Sequence, residues 1–235
     1  QLDEMYKTHI FPVTNCPLSS KASDGDSRRR KSMEIEGFSQ NGERFTIQHE
    51  GFTLSGQIKK IDGKVYNIQI MNQDFIHCGK KMSYPLDHAT RTLTMGDHMI
   101  HISHLRMVHD SFDFKDHGLR NEDVFREDQQ NWETPQRMYF PKVRTCLRRI
   151  QNGQGCVPED TKGTEVYLFV CWMYVEIFAS IIASLLQRIY YASFVCNFLR
   201  IWRWWIFKHR NLNLKKHFLT RQCYQDVIIS THAAV

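Results

Sequence analysis

Two hydrophobic patterns divide the chain. Between residues 35 and 108, apolar and polar residues alternate in short segments such as "ERFTIQHEG" and "VYNIQIM". Alternation with a period of two is typical of half-buried β-strands, and the pair Asp62-Gly63 between two such segments predicts a hairpin. Several short strands with regularly spaced turn residues therefore predict an antiparallel β-sandwich or barrel-like domain.

The second pattern is the apolar run "VYLFVCWMYVEIFASIIASLL" at residues 166–186, in which Glu176 is the one acidic residue. As an α-helix, a run of this length covers about 32 Å, which matches a hydrocarbon core of about 30 Å. The polar residues before it offer no apolar surface large enough to surround it. The run therefore predicts a transmembrane helix over residues 165–187.

A carboxylate at the middle of a bilayer is costly unless it has a partner. Ala179, Ser180, Ala183 and Ser184 form two overlapping pairs of small residues four positions apart, and Glu176 shares their helical face. Small residues at this spacing let a second helix approach closely. We therefore expect this face to contact a partner transmembrane helix, with Glu176 hydrogen-bonded or ion-paired there.

Residues 188–208 combine aromatic residues with a polar stripe through Ser193, Asn197 and Arg200. This pattern indicates a helix in the headgroup region, although a second membrane span or a continuation of the first helix is an open alternative. The residues expected at the membrane interface are Arg200, Trp202, Arg203, Trp204 and Trp205.

Composition and charge complete a prediction of an α+β membrane protein. The 235 residues carry a formal net charge of +6, with the basic excess directly after the apolar segment, which favours a cytosolic C-terminus and an outside or luminal N-terminal domain. The predicted parts are a flexible basic arm (1–33), a β-rich extramembrane domain (34–141), a linker (142–164), the transmembrane helix, the interfacial helix and a basic cytosolic tail (209–235).

Four of the seven cysteines precede the apolar segment, namely Cys16, Cys78, Cys146 and Cys156. An even number on one side of a membrane fits two disulfides in an oxidising compartment, and these four are the disulfide candidates. Reduced thiols are the alternative.

The candidate metal ligands are His98, His101 and His104, in the stretch "HMIHISHLRMVHD". No carboxylate or thiolate near them has a recognised zinc spacing. The sequence also contains no nucleophile elbow, phosphate-binding loop, dinucleotide fingerprint or zinc-protease motif, so we expect no catalytic residues and no cofactor.

These observations predict a non-catalytic, membrane-anchored subunit of a multiprotein membrane complex. Its expected partners are other membrane-protein subunits and the lipid bilayer, with self-association as an open alternative. Because aromatic residues do not alternate with the basic ones in "GKKMSYP" or in the N-terminal arm, we expect no nucleic-acid partner. The alternative functions are part of a surface or viral-type envelope glycoprotein and a membrane-bound metalloenzyme that uses the histidines.

Overall fold

A computed structural model describes residues 5–14, 21–23, 43–49, 52–125, 131–154 and 159–234 of the chain. The chain divides into two compact units. The first comprises Gln1–Asp74 and Ile228–Ala233, and the second comprises Phe75–Val227 and Ala234–Val235.

The first unit contains a sheet with the strand order β1-β4-β3-β2. The N-terminal elements are a π-helical turn at Tyr6–Ile10, helix α1 (Phe11–Thr14), and strands β1 (Lys21–Ser23), β2 (Glu43–His49), β3 (Phe52–Ile61) and β4 (Lys64–Gln73). Strands β2, β3 and β4 pair antiparallel, whereas β1 pairs parallel with β4. Asp62 and Gly63 both have positive φ, at 49° and 77°, as a type I′ turn requires, so the predicted hairpin is confirmed.

The second unit is mainly helical. Its elements are α2 (Phe75–Ser83), a 3₁₀ turn (Tyr84–Asp87), β5 (Leu93–Met95), β6 (His98–Ile100), α3 (Ser103–Ser111), α4 (Phe114–His117), α5 (Asn121–Phe125), α6 (Glu133–Tyr139), α7 (Pro141–Gln151), α8 (Lys162–Ala179), α9 (Leu185–Lys208), α10 (Leu214–His217) and α11 (Arg221–Ala233), whose last turns belong to the first unit. Strands β5 and β6 form a small antiparallel hairpin.

The predicted β-sandwich or barrel over residues 34–141 is wrong. Among the described residues, β5 and β6 are the only strands after Gln73. The stretch "HMIHISHLRMVHD" is divided between β6 and α3, because Ile102, Leu105 and Val108 recur every three residues and are all fully buried. Spacings of three or four residues keep side chains on one face of a helix, whose period is about 3.6 residues, whereas strand alternation has a period of two.

Helix α8 is the centre of the second unit, and its apolar character comes from being surrounded by protein. It packs against α2, α6, α7, α9 and β6. Tyr167, Leu168, Val170, Cys171 and Tyr174 are all buried although they point to different sides of the helix. The surrounding core is formed by the buried faces of amphipathic segments. Because the average composition of these segments is polar, their apolar faces are not evident from the hydrophobicity of the sequence.

The predicted transmembrane helix, and with it the single-pass localisation, is also wrong. Helix α8 ends at Ala179, before the end of the apolar run. Of the helices within the described ranges, none combines the length and the apolar composition that crossing a bilayer demands. The apolar run is instead divided by a turn between two helices, α8 and α9, that pack on each other.

Polar caps explain why the apolar run breaks where it does. The hydroxyl of Ser180 accepts a hydrogen bond from the backbone N–H of Ala183 at 3.2 Å. Ser184 begins α9 with a capping box, in which its hydroxyl accepts from the N–H of Gln187 and its own N–H donates to the Gln187 side chain. Reciprocal caps of this kind satisfy the free N–H groups of a helix start.

Arg188 stabilises the same turn through hydrogen bonds to carbonyl oxygens. Its guanidinium donates to the carbonyl oxygens of Ile177 at 2.6 Å, of Ala183 at 3.3 Å and of Ser180. These carbonyls lie at and beyond the C-terminus of α8, where a helix leaves its last acceptors unpaired. One cation therefore terminates α8 and starts the turn into α9.

The predicted disulfides are contradicted within the described part of the chain. Cys78 and Cys146 are buried free thiols, and so are Cys171, Cys196 and Cys223. The other two candidates, Cys16 and Cys156, lie outside the described residues.

Candidate anion-binding groove

A concave basic surface lies where α9, α10 and α11 meet. It consists of two adjoining grooves of about 790 and 430 Å³ that share Arg91, Leu214 and Lys215 in their linings. We call the two together the basic groove. The cationic side chains that line it are Arg91, Arg203, Lys215, Lys216 and Arg221.

Aromatic packing holds the elements of the groove in place. The rings of Trp202 on α9 and Phe218, between α10 and α11, meet edge to face with centroids 4.7 Å apart. Phe218 also packs on Tyr224 at 5.6 Å. Edge-to-face pairs of this kind add to the stabilisation from burial, so these contacts help to hold α9 and α11 together beside the groove.

Backbone hydrogen bonds attach α10 to the segment before β5. The N–H of Thr92 donates to the carbonyl oxygen of Lys216 at 2.8 Å. The side chain of Asn213 caps the start of α10 by accepting from the N–H of Lys216 at 2.8 Å. Lys215 and Lys216 are thereby presented in one short, fixed helical turn.

Arg91 connects the two parts of the groove. Its Nη1 donates to the carbonyl oxygen of Phe218 at 2.5 Å and to that of Leu214 at 3.4 Å. Its Nε is buried and has no hydrogen-bond partner among the described residues. Burial is the main reason that the pKa of Arg91 is lowered from its usual value. Arg91 is thus a partly desolvated cation with unused hydrogen-bonding capacity.

The groove has no negative charge of its own. Neither lining includes an Asp or Glu side chain, and no carboxylate in the described ranges forms an ion pair with any of the five cations. The guanidinium of Arg203 instead lies over the ring of Tyr224, 5.3 Å from its centroid. Clustered cations repel one another, so an anion that binds there relieves that repulsion.

The three predicted metal ligands do come close together, at the start of α8. Nδ1 of His98 lies 2.7 Å from Oδ2 of Asp160, and this hydrogen bond lowers the pKa of the Asp160 carboxyl. His104 Nδ1 lies 2.7 Å from the hydroxyl oxygen of Thr164, which also accepts from the backbone N–H of His101 at 3.1 Å. The histidines therefore connect β6 and α3 to the start of α8.

The same geometry argues against a metal site at these histidines. Nδ1 of His101 faces the Ser103 hydroxyl at 2.9 Å, and His104 is buried, which lowers its pKa. Across the described ranges, no three His, Cys, Asp or Glu side chains are arranged to hold a metal ion. The three rings make separate hydrogen bonds that stabilise the fold.

The residues predicted to contact a partner helix lie at the end of α8 and in the turn after it. Glu176 is half-buried, and its carbonyl oxygen accepts from the N–H of Ser180. Ala179 is the last residue of α8. Ser180, Ala183 and Ser184 form the turn, so the small residues make a tight connection between two helices of this chain.

The predicted membrane-interface residues separate into two groups on α9. Trp202 is buried, and Arg200 and Trp205 are half-buried, whereas Arg203 and Trp204 are exposed. Arg203 lines the basic groove. Trp202, Trp204 and Trp205 therefore differ in burial along α9, with Trp202 in the core and Trp204 in solvent.

Sequence reasoning missed two important cations. Arg91 is an isolated basic residue in "ATRTL", more than a hundred positions before the other cations of the groove, and no local pattern marks it. Arg188 follows the apolar run closely, and in the sequence it is one more charge of the basic excess there. Its position four residues after Ser184, at the start of a capped helix, was the signal available.

Comparison of the chain with protein-family models, with curated proteins and with solved structures found no match.

Proposed function

We propose that this protein is a non-catalytic binding module for a single-stranded nucleic acid, whose phosphodiester backbone lies in the basic groove. The proposal departs from our expectation of no nucleic-acid partner and does not retain the membrane anchor. The observation that carries it is a groove lined by five cations without a single carboxylate.

The charge arrangement suits a row of phosphates better than one small anion. The cations come from both grooves and are distributed along their combined length, with Arg91 and Lys215 common to the two. Phosphate groups recur regularly along a nucleic-acid strand, and their neutralisation by Lys and Arg releases counterions, which supplies most of the affinity in non-specific binding.

Aromatic side chains next to the cations favour nucleic acid over an anionic lipid surface. Phe207 lines the larger groove and is exposed, while Tyr224 lines the smaller one beneath Arg203. A positive groove with aromatic residues is how single strands are bound without sequence preference, since every base has a face that can stack. A flat bilayer surface does not enter a concave groove, whereas a flexible strand does.

The test is fluorescence anisotropy of a labelled dT oligonucleotide of about 12 nucleotides, titrated with the full chain at several salt concentrations. We expect binding that weakens linearly in log–log plots against salt. Lys215→Gln and Arg221→Gln change exposed groove cations, and each should lower the magnitude of the salt slope by about 0.7.

Lys115→Gln is the matched control, because Lys115 is also an exposed cation, lies on α4 outside the groove and is paired with Asp113. It should leave the slope unchanged. Equal effects of all three substitutions would indicate non-specific attraction to the net charge and would overturn the proposal. Binding to phosphatidylserine-containing vesicles without binding to the oligonucleotide would also overturn it, in favour of a lipid headgroup.

A further inference from the structure

An exposed apolar surface on helix α9 continues out of the basic groove. Phe207, which lines the groove, is 68% exposed. Trp204 and Ile201, three and six positions earlier, are 60% and 66% exposed. Residues three positions apart are neighbours on the surface of a helix, so these three side chains form one continuous stripe, which we call the α9 stripe. Most of its surface is left uncovered by the described residues.

Basic side chains accompany the α9 stripe along its length. Arg200 is four positions before Trp204 and Lys208 is four positions after it, so both are its neighbours on the helix surface. Nζ of Lys208 lies 6.0 Å from the centroid of the Phe207 ring. Helix α9 contains no Asp or Glu. The stripe therefore shares the positive charge of the groove, which favours an anionic partner over a second copy of the same basic helix.

Cations and aromatic residues alternate in the sequence "RIWRWWIFK" at residues 200–208. A positive surface with aromatic side chains is typical of proteins that bind single strands, since bases stack on the rings while the cations contact phosphates. In a duplex the faces of each base are covered by its neighbours, so a base must be unpaired or extruded before it can stack on a protein ring. Exposed rings therefore select a single strand over a duplex, whereas cations alone bind both.

We propose that bases of a single strand stack on Phe207 and Trp204, so that the strand leaves the groove at Phe207 and continues along the α9 stripe. The inference rests on the proposed function, because the groove cations hold the phosphates of the same strand. The two residues are about 4.5 Å apart along the helix axis, whereas neighbouring bases on one duplex strand are about 3.4 Å apart. A strand slightly more extended than in a duplex places two consecutive bases on the two rings.

The salt dependence of binding separates stacking from phosphate contacts. In the anisotropy titration of the full chain with the labelled dT oligonucleotide, Trp204→Ala and Phe207→Ala should each weaken binding about tenfold at every salt concentration. The salt slope should stay the same, because stacking releases no counterions. Lys215→Gln should change the slope instead. Phe114→Ala, at a residue on α4 that is also 60% exposed, is the matched control and should change neither quantity.

An abasic strand with the same number of phosphates isolates the contribution of the bases. The unmodified chain should bind it about tenfold or more weakly than the dT strand, with the same salt slope, and Trp204→Ala should not weaken this binding further. Trp204→Phe should keep most of the affinity for the dT strand, because a phenyl ring also stacks on a base. It should lose the part of the tryptophan fluorescence quenching that a base on the exposed Trp204 indole causes.

The outcomes distinguish the stripe from the groove. Equal affinity for the dT and abasic strands, with both alanine variants binding like the unmodified chain, would overturn base stacking and leave the groove proposal intact. No binding of either strand by the unmodified chain would overturn both proposals. If Trp204→Ala leaves oligonucleotide binding unchanged but abolishes sedimentation with phosphatidylcholine vesicles or self-association, the stripe belongs to lipid or to a second copy, and the stacking proposal fails.

Discussion

The indole N–H of Trp202 donates a hydrogen bond to the carbonyl oxygen of Thr94 at 2.7 Å. Trp202 is on α9 and Thr94 is on β5, more than a hundred residues earlier. The ring is almost fully buried and packs on Phe218 and Tyr167. A tryptophan that the sequence indicates as a membrane-interface anchor is therefore a core residue that positions the floor of the basic groove.

Replacement of this indole separates a core role from a surface role. Trp202→Phe keeps most of the ring but leaves the Thr94 carbonyl without its partner, so we expect the free energy of unfolding to fall by about 1–3 kcal/mol. Trp204→Phe, at an exposed position two residues later, should change it by about 0.5 kcal/mol or less. Urea denaturation followed by circular dichroism measures both, and equal effects would contradict the core assignment.

Gly163 allows the start of α8 to approach the β5–β6 hairpin. A Cβ atom at this position would lie 2.7 Å from the carbonyl oxygen of Met99 and 3.0 Å from Cβ of His98. Because the nearest atom is backbone, Gly163→Ala should destabilise the fold by about 1–3 kcal/mol, with a lower midpoint in thermal unfolding. Lys162→Ala, at the exposed neighbouring position, should be close to neutral. A stable Gly163→Ala protein would show that the helix can shift away from the hairpin.

Arg188 should be critical for the turn between α8 and α9. Arg188→Ala removes donors from three carbonyl oxygens at and beyond the end of α8, and we expect a loss of about 2 kcal/mol. Arg210→Ala removes an exposed arginine after α9 and serves as the control. Hydrogen exchange should report faster exchange in the last turn of α8 in the Arg188 variant only. Unchanged protection there would mean that the serine caps are sufficient.

Acidification should destabilise the protein through His104. Burial lowers its pKa in the folded state, although Glu159 and Asp160 raise it in part and His101 opposes them. His104 in the unfolded chain therefore binds a proton near pH 6.5, whereas His104 in the folded chain binds it only at lower pH. The contribution of neutral, buried His104 to the free energy of unfolding is complete above about pH 6.5 and is lost as the pH falls.

The measurement is the free energy of unfolding between about pH 7.5 and pH 5.5, which brackets the histidine pKa. The His104→Gln variant should lose less stability over this interval than the unmodified chain. His88→Gln, at an exposed histidine, should behave like the unmodified chain. His117 also contributes to the pH dependence of stability that remains in the His104 variant, because burial lowers the pKa of His117 as well. A His104 variant with an unchanged pH dependence would place the sensitivity elsewhere.

Local sequence signals identified some of the elements correctly. The Asp62-Gly63 turn and the alternation beside it predict the β3–β4 hairpin because turn type and strand period depend on neighbouring residues. The basic cluster after residue 207 is also visible in the sequence, and Lys215, Lys216 and Arg221 line the basic groove.

Only the tertiary structure decided what the apolar run is and which cations act together. Residues 166–186 are apolar enough to be buried either in lipid or in a protein core, since both environments remove side chains from water. The protein environment is supplied by amphipathic helices that are distant in the sequence. Arg91 joins the groove through carbonyl oxygens of Leu214 and Phe218, more than 120 positions away. The chain itself specifies its turns and caps, because they depend on adjacent residues, whereas burial and grouping of charges depend on contacts that form only when the whole core assembles.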